Sequence, residues 1–233
     1  MPALRADPPA SMPAAPDRPM PTRDGRKFVS SGPLHFVFTI ARALRDWHLF
    51  YFRTVRVLRC DSLDDGSEAP PVDFEVVEAS EEDVRRIASL ERSSPAEWFN
   101  RQRLGHTCLL ARSRPRELGY LWITRGRHFM QEVSHVVNVS HDPAGAYLYD
   151  AYVIPDARRQ GVLRELVASA KAWARARGLS TLYMAVAMDN KVSRRAFESL
   201  GFTTVVGQVR VLRVRNHDWK RVKRPAGVPD VLQ

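Results

Sequence analysis

The sequence predicts an α/β domain, a mixed β-sheet flanked by helices. Two observations carry this: strand and helix signals alternate at short spacing from Val72 to Val214, and one run, Tyr147 to Ile154, is apolar on both faces as a buried central strand must be. Hydrophobic residues make up 44% of the 233 residues, enough for a sizeable core.

Phe74–Val77 reads as an opening strand. Ser80 and Asp83 have capping-box spacing for a helix reaching about Glu91, with Val84, Ile87 and Ala88 on its apolar side. Ser94-Pro95-Ala96-Glu97 repeats the start signal, and Trp98, Phe99 and Leu104 give that helix its buried side. Thr107–Ala111 and Leu118–Thr124 read as hairpin strands joined by a turn-rich link. Residues 127–145 read as polar loop with a short strand through Val136–Val139. A long helix follows from about Gly161 to Arg177, closed by Gly178. Thr181–Ala187 is a strand, Lys191–Leu200 a helix ended by Gly201, and Thr204–Val214 a final strand with Val205, Gly207, Val209 and Val211 inward.

Outside this domain, residues 1–33 read as a disordered, Pro- and Ala-rich leader without a signal-peptide core. Residues 34–60 are apolar, aromatic and basic. A helix is expected after Pro33, and Thr54–Arg59 either continues it or forms a strand. Residues 61–71 are an acidic linker, the α/β domain spans 72–214, and residues 215–233 are a basic tail. Three readings of the 34–59 segment stay open: packing on the domain or a second subunit as a homodimer, lying on an anionic membrane through Arg42, Arg45, Arg53, Arg56 and Arg59, or covering an acceptor cleft.

The formal charge of +10 calls for an acidic partner such as a polyanion, an acidic membrane or a nucleotide, without choosing among them. Nucleic-acid binding is not expected, because no recognition motif accompanies the charge. Cys60 and Cys108 are far apart and read as buried thiols, which with the leader predicts a cytoplasmic protein, peripheral to the inner membrane face in the membrane reading. His135 and His141 lack metal-site spacing, so no metal is expected.

The chemistry-bearing stretch is Val153-Ile154-Pro155-Asp156-Ala157-Arg158-Arg159-Gln160-Gly161-Val162-Leu163-Arg164. The first amides of a helix lack intrahelical acceptors and lie at its positive end. A pyrophosphate therefore fits on the N–H groups of residues 159–164, with Gly161 permitting close approach and Arg158, Arg159 or Arg164 adding charge. The Gly-Lys-Ser/Thr ending of a triphosphate loop is absent.

Arg158 and Gly161 resemble the first two fixed positions of the acyl-CoA signature of the GCN5-related N-acetyltransferase superfamily, with Leu163 standing where Gly or Ala is usual. Asn190, Ser193, Phe197 and Gly201-Phe202 resemble its downstream motif, and Phe74–Leu90 its opening strand and helix. The resemblance implies the acyl-CoA N-acyltransferase fold with splayed central strands. It implies acetyl-CoA or another acyl-CoA as co-substrate, held by Val153, Arg158, Arg159, Gln160, Gly161, Val162, Leu163, Arg164, Asn190, Ser193 and Phe197. Backbone groups of Tyr152, Val153 and Ile154 would bind the pantetheine like an added strand.

The implied reaction is direct acetyl transfer to a small-molecule amine. The alternatives are a longer-chain acyltransferase in lipid or surface-polysaccharide synthesis, or an inactive acyl-CoA-binding module. The Val153 N–H is expected to meet the oxyanion. Phe197 stands where the family often has a proton-donating tyrosine, leaving Tyr152, Tyr149 or Tyr183 as replacements. With strict alternation Asp150 shares a face with Leu148 and Tyr152, opposite Tyr149, Ala151 and Val153, and it is the candidate base or amine-orienting group. Glu132, His135, Asn138 and His141 are further acceptor-side candidates.

Overall fold

The computed structural model describes residues 50–64, 73–90, 95–214, 217–227 and 229–233. The expected leader and the helix after Pro33 lie outside the described residues, as does most of the linker. Among the described residues, ten strands, β1 (Phe50–Cys60), β2 (Glu75–Glu78), β3 (Thr107–Ser113), β4 (Arg116–Thr124), β5 (Arg127–Met130), β6 (His135–Asn138), β7 (Gly145–Val153), β8 (Thr181–Ala187), β9 (Thr204–Val214) and β10 (His217–Lys223), are joined by four helices. These are α1 (Glu81–Leu90), α2 (Pro95–Arg103), α3 (Val162–Arg175) and α4 (Lys191–Ser199).

Eight strands form one mixed sheet in the order β10-β9-β1-β8-β7-β4-β3-β2, and β5 pairs with β6 in a separate hairpin. Every pairing in the large sheet is antiparallel except β7 with β8. α1 and α2 pack on one face through Val84, Ile87, Ala88 and Trp98, together with Tyr120, Trp122, Tyr147 and Tyr149. α3 and α4 cover the other through Val162, Leu166, Val167, Ala170 and Phe197, against Leu121, Ile123, Leu148 and Met184. The α1 start is the reciprocal box expected: the Ser80 N–H donates to the Asp83 carboxylate at 2.9 Å and the Asp83 N–H to Ser80 Oγ at 3.2 Å.

The sheet takes in two segments that sequence reading sets outside the domain. Phe50–Cys60 is a strand between β8 and β9, and its apolar residues divide between the two layers, Val55 and Val57 to one and Leu58 and Cys60 to the other. A segment apolar on alternate sides with a paired strand at each edge is a central strand, so the domain begins before residue 72. His217–Lys223 is likewise the edge strand β10, paired along β9, and the chain end returns beneath the sheet with Val231 and Leu232 buried. The supposed tail is thereby part of the fold. In β9 an irregularity opposite Val57/Leu58 breaks the expected alternation: Val205 joins the α3–α4 layer, and Val209 and Val211 the opposite one.

Gly119 on β4 marks the closest backbone approach near the centre. A Cβ there would lie 2.5 Å from the Tyr152 carbonyl oxygen and 3.2 Å from Val153 Cα, atoms that cannot swing away. Gly119→Ala is expected to cost about 1–3 kcal/mol, read as a fall in the denaturant midpoint at unchanged slope.

Candidate active site

Asp150 governs the site's geometry. It sits at φ 52, and β7 shifts register against β4 there: Trp122 faces Tyr149 and Tyr120 faces Tyr152, so Leu121 opposes two residues. This is a β-bulge, which adds a residue, bends the strand and resets its alternation. The expected face assignment is corrected accordingly. Leu148 and Val153 pack with the α3 layer, whereas Tyr149 and Tyr152 pack on the α1–α2 side.

The bulge also opens a seam. Parallel pairing of β7 with β8 runs from Gly145–Thr181 to Leu148–Met184 and stops. Beyond it, β8 stays paired to β1 through Ala187 and β7 stays paired to β4 through Val153. Each half keeps its outer partner and only the junction parts. The Ile154 N–H bonds the Leu118 carbonyl at 3.0 Å, so antiparallel alternation turns the Val153 amide toward the seam. The Val153 carbonyl is met there by Arg158 Nε at 3.1 Å. Of the three backbone positions expected to face a pantetheine, Val153 alone is so turned; Tyr152 and Ile154 face β4.

The seam opens into a cleft of about 790 Å³ lined by Tyr152, Val153, Arg158, Gly161, Asn190 and Phe197, among others. Arg159, Val162, Leu163, Arg164 and Ser193 also line it, so the sequence-predicted cofactor residues converge here with the exception of Gln160, whose side chain donates to the Asp156 carbonyl at 2.7 Å. Gly161 adopts φ 83 immediately before α3, no side chain caps that helix, and the space where a Cβ would stand is open. Leu163 packs partly against the α3 layer while lining the cleft. The Asn190 side chain caps α4 by accepting from the Ser193 N–H at 3.0 Å. Phe197 is buried edge-on against Phe202 at 5.7 Å. Tyr183 is fully buried and donates to Asp142 at 2.7 Å, which removes it as a proton donor to the cleft.

On the far side of the bulge lies a second cleft of about 560 Å³, lined by Glu97, Arg101, His106, His128, Tyr149 and Asp150, among others. The Asp150 carboxylate accepts from Arg101, which also donates to Glu97 at 3.0 Å and lies over the Trp98, Trp122 and Tyr149 rings. Asp150 therefore stands in this cleft ion-paired to Arg101. Tyr149 Oη lies 2.6 Å from His106 Nδ1, and His128 packs on the Tyr149 ring at 3.9 Å. Burial and the neighbouring Arg101 lower the pKa of His106; the same causes, with His106, bring His128 down to about 4. Both rings are neutral at pH 7. Burial pushes the Tyr149 phenol up.

Glu132, one of the acceptor-side candidates, lines this cleft. His141 and Asn138 instead bond Gln233 at the chain end, and His135 lies on β6 near Lys220 and Arg224. Sequence reasoning missed Arg101, His106 and His128. The i,i+4 pair Glu97–Arg101 is the one local signal, and it reads equally as a solvated helix face. Among the described residues no group of three or more His, Cys, Asp or Glu is placed to hold a metal.

A mixed sheet parted at one seam, beside a glycine-led helix N-terminus, is the acyl-CoA N-acyltransferase fold. Within it, the chain belongs to the Acetyltransferase (GNAT) family, whose model matches residues 74–202. Two curated relatives are both named aminoglycoside N(6')-acetyltransferase type 1. One, from Klebsiella aerogenes, is 44% identical over 68 residues, 29% of this chain and 44% of its own length. The other, from Acinetobacter genomosp. 13, is 36% identical over 66 residues, 28% of this chain and 45% of its own. The chain thus spans less than half the length of these relatives. Solved structures similar to it include an aminoglycoside 6'-N-acetyltransferase from Acinetobacter haemolyticus, at 25% identity and TM-score 0.44, covering 56% of this chain and 92% of that one. Another is the ribosomal-protein-S18-alanine N-acetyltransferase from Escherichia coli, at 18% identity and TM-score 0.45, covering 57% and 80%.

Proposed function

We propose that the protein binds acetyl-CoA in the seam cleft and transfers its acetyl group to an amine by direct attack. The observation carrying this reading is the Val153 amide turned into a parted seam that leads to the Gly161 helix start. The diphosphate would sit on the first amides of α3, and Val153 N–H would meet the oxyanion of the tetrahedral intermediate. The names of the two curated relatives, both amine acetylators, support an amine acceptor.

The acceptor ammonium enters the second cleft, where Glu132 stands beside the Asp150 and Glu97 carboxylates that share Arg101. It gives a proton to Tyr149 Oη as the Tyr149 proton passes to His106 Nδ1; the freed amine then attacks the thioester carbon. Collapse expels the CoA thiolate; Tyr152, which lines the seam cleft, gives it a proton in place of the absent tyrosine at Phe197, and the second proton lost by the attacking nitrogen returns through solvent to Tyr152.

CoA thiol release is expected in the presence of acetyl-CoA and an amine. His106 must be neutral to act, so kcat/KM is expected to fall as pH drops through a limb below pH 6.5, its ordinary value. His106→Gln should lose about a hundredfold in kcat/KM and lose that limb. A variant profile superimposable on the parent's would remove the relay; no thiol release with any amine would remove the transferase reading.

A further inference from the structure

Among the described residues, six large apolar side chains are exposed: Phe52, Leu104, Phe129, Val192, Val214 and Trp219. Leu104 and Phe129 line the acceptor cleft and Val192 the seam cleft. Neither cleft accounts for Phe52, Val214 and Trp219.

The register across β1, β9 and β10 brings these three together. Antiparallel partners share a face, so four cross-strand rows stand side by side: Val214–His217, Phe52–Leu212–Trp219, Thr54–Arg210–Arg221 and Arg56–Gln208–Lys223. The opposite parity of the same strands carries Val55, Val57, Val209, Val211 and Val222, which pack into the α1–α2 layer. The four rows therefore lie on the α3–α4 side, but the apolar cluster of those helices takes in only Leu58, Cys60 and Val205–Phe202 from this end of the sheet. Phe52 is 58% exposed, Trp219 56% and Val214 37%.

The two halves of this surface differ in chemistry. One end is apolar and aromatic, with the His217 ring 6.0 Å from Trp219. The other carries Arg56, Arg210, Arg221 and Lys223, and the four rows contain no carboxylate. Asp218, which neutralises Arg213, belongs to the other face. Two of the arginines invoked at the sequence level for membrane contact leave this surface as well: Arg53 reaches toward Asp189, and Arg59 pairs with Asp61.

We propose that this sheet face docks on an anionic lipid bilayer, with Phe52, Leu212, Val214 and Trp219 entering the interface and Arg56, Arg210, Arg221 and Lys223 meeting headgroup phosphates. The segregation favours lipid over a nucleic-acid strand. Leu212 and Val214 have no π-face for stacking on bases, whereas aliphatic and aromatic groups beside a cationic band match the depth profile of a bilayer surface. A planar three-stranded face also offers no groove to track a phosphate backbone.

The test is co-sedimentation of the full chain with phosphatidylcholine vesicles containing phosphatidylglycerol, against phosphatidylcholine alone. Binding is expected to the anionic vesicles and to weaken as salt rises. Each headgroup-facing cation contributes a factor of about five, so the combined R210Q, R221Q and K223Q variant should bind about a hundredfold more weakly. Trp219→Ser should weaken binding about tenfold and remove an emission shift seen on vesicle addition. Unfolding midpoint and acyl-CoA affinity serve as fold controls, and Trp219→Ser alone carries the test should the triple variant not fold. Absence of binding to the anionic vesicles overturns the proposal. So does equal binding to neutral vesicles, parental affinity in the variants, or displacement of vesicles by a single-stranded oligonucleotide.

Discussion

Gly161→Glu is expected to weaken acyl-CoA binding by about a hundredfold or more, equivalent to about 3 kcal/mol. Two effects add. Gly161 holds φ 83, a conformation costly for any side chain with a Cβ, so the turn presenting the α3 amides must rearrange. The new carboxylate also stands at the positive end of the helix, in the place a phosphate would take, and satisfies the amides itself. Steric collision contributes nothing, since the Cβ would meet no atom within 4 Å. Gly161→Asn separates the effects, because Asn tolerates positive φ and brings no charge; it should stay within about tenfold of the parent. Calorimetric titration with CoA reads both variants. Parental affinity in Gly161→Glu would refute the phosphate cradle while leaving the fold untouched.

His128 is expected to make the protein strongly acid-labile. Burial, with Arg101 and His106 nearby, lowers its pKa from 6.5 to about 4. The folded value is depressed, so the unfolded chain takes up a proton as pH falls through 6.5 and the folded chain does not until about pH 4. The stabilisation is complete above pH 6.5 and drains away across that window. At about 1.4 kcal/mol per pKa unit the loss approaches roughly 3 kcal/mol. His106 and the hydrogen-bonded Asp83 carboxylate, both also depressed, push in the same direction. Urea unfolding of the parent and of His128→Phe at neutral and acidic pH isolates the His128 share: the gap between them should narrow or reverse on acidification, and a constant gap would exclude it.

The two expectations show how unevenly the site could be read in advance. The Gly161 turn was legible because everything it needs is local: a proline ending a strand, a glycine, and the apolar period of the helix behind it. The same locality made the Ser80–Asp83 box readable. The second cleft is different. Arg101 on α2 meets Asp150 on β7, and His106 meets Tyr149 across 43 residues. Nothing within either stretch announces the encounter.

Strands were misjudged for the same reason. FYFRTVRVLRC alternates aromatic, aliphatic and basic residues and suits a helix or a strand equally; partners more than a hundred residues away, on β8 and β9, decide it. β10 reads as a charged tail because only Val222 faces the interior. A sequence read in isolation cannot tell a solvated edge strand from a solvated end.

By itself, then, the sequence determined the helices α1, α3 and α4 and the glycine-led turn before α3, which rest on short-range periodicity and turn chemistry, and it carried the ordered motifs by which the chain resembles its family. The tertiary structure alone decided that β1 and β10 belong to the sheet, that a bulge at Asp150 parts β7 from β8, and that a tyrosine–histidine pair stands beyond that opening. These depend on backbone hydrogen bonds between distant segments, and a bulge has no signature in one strand because it is a mismatch between two.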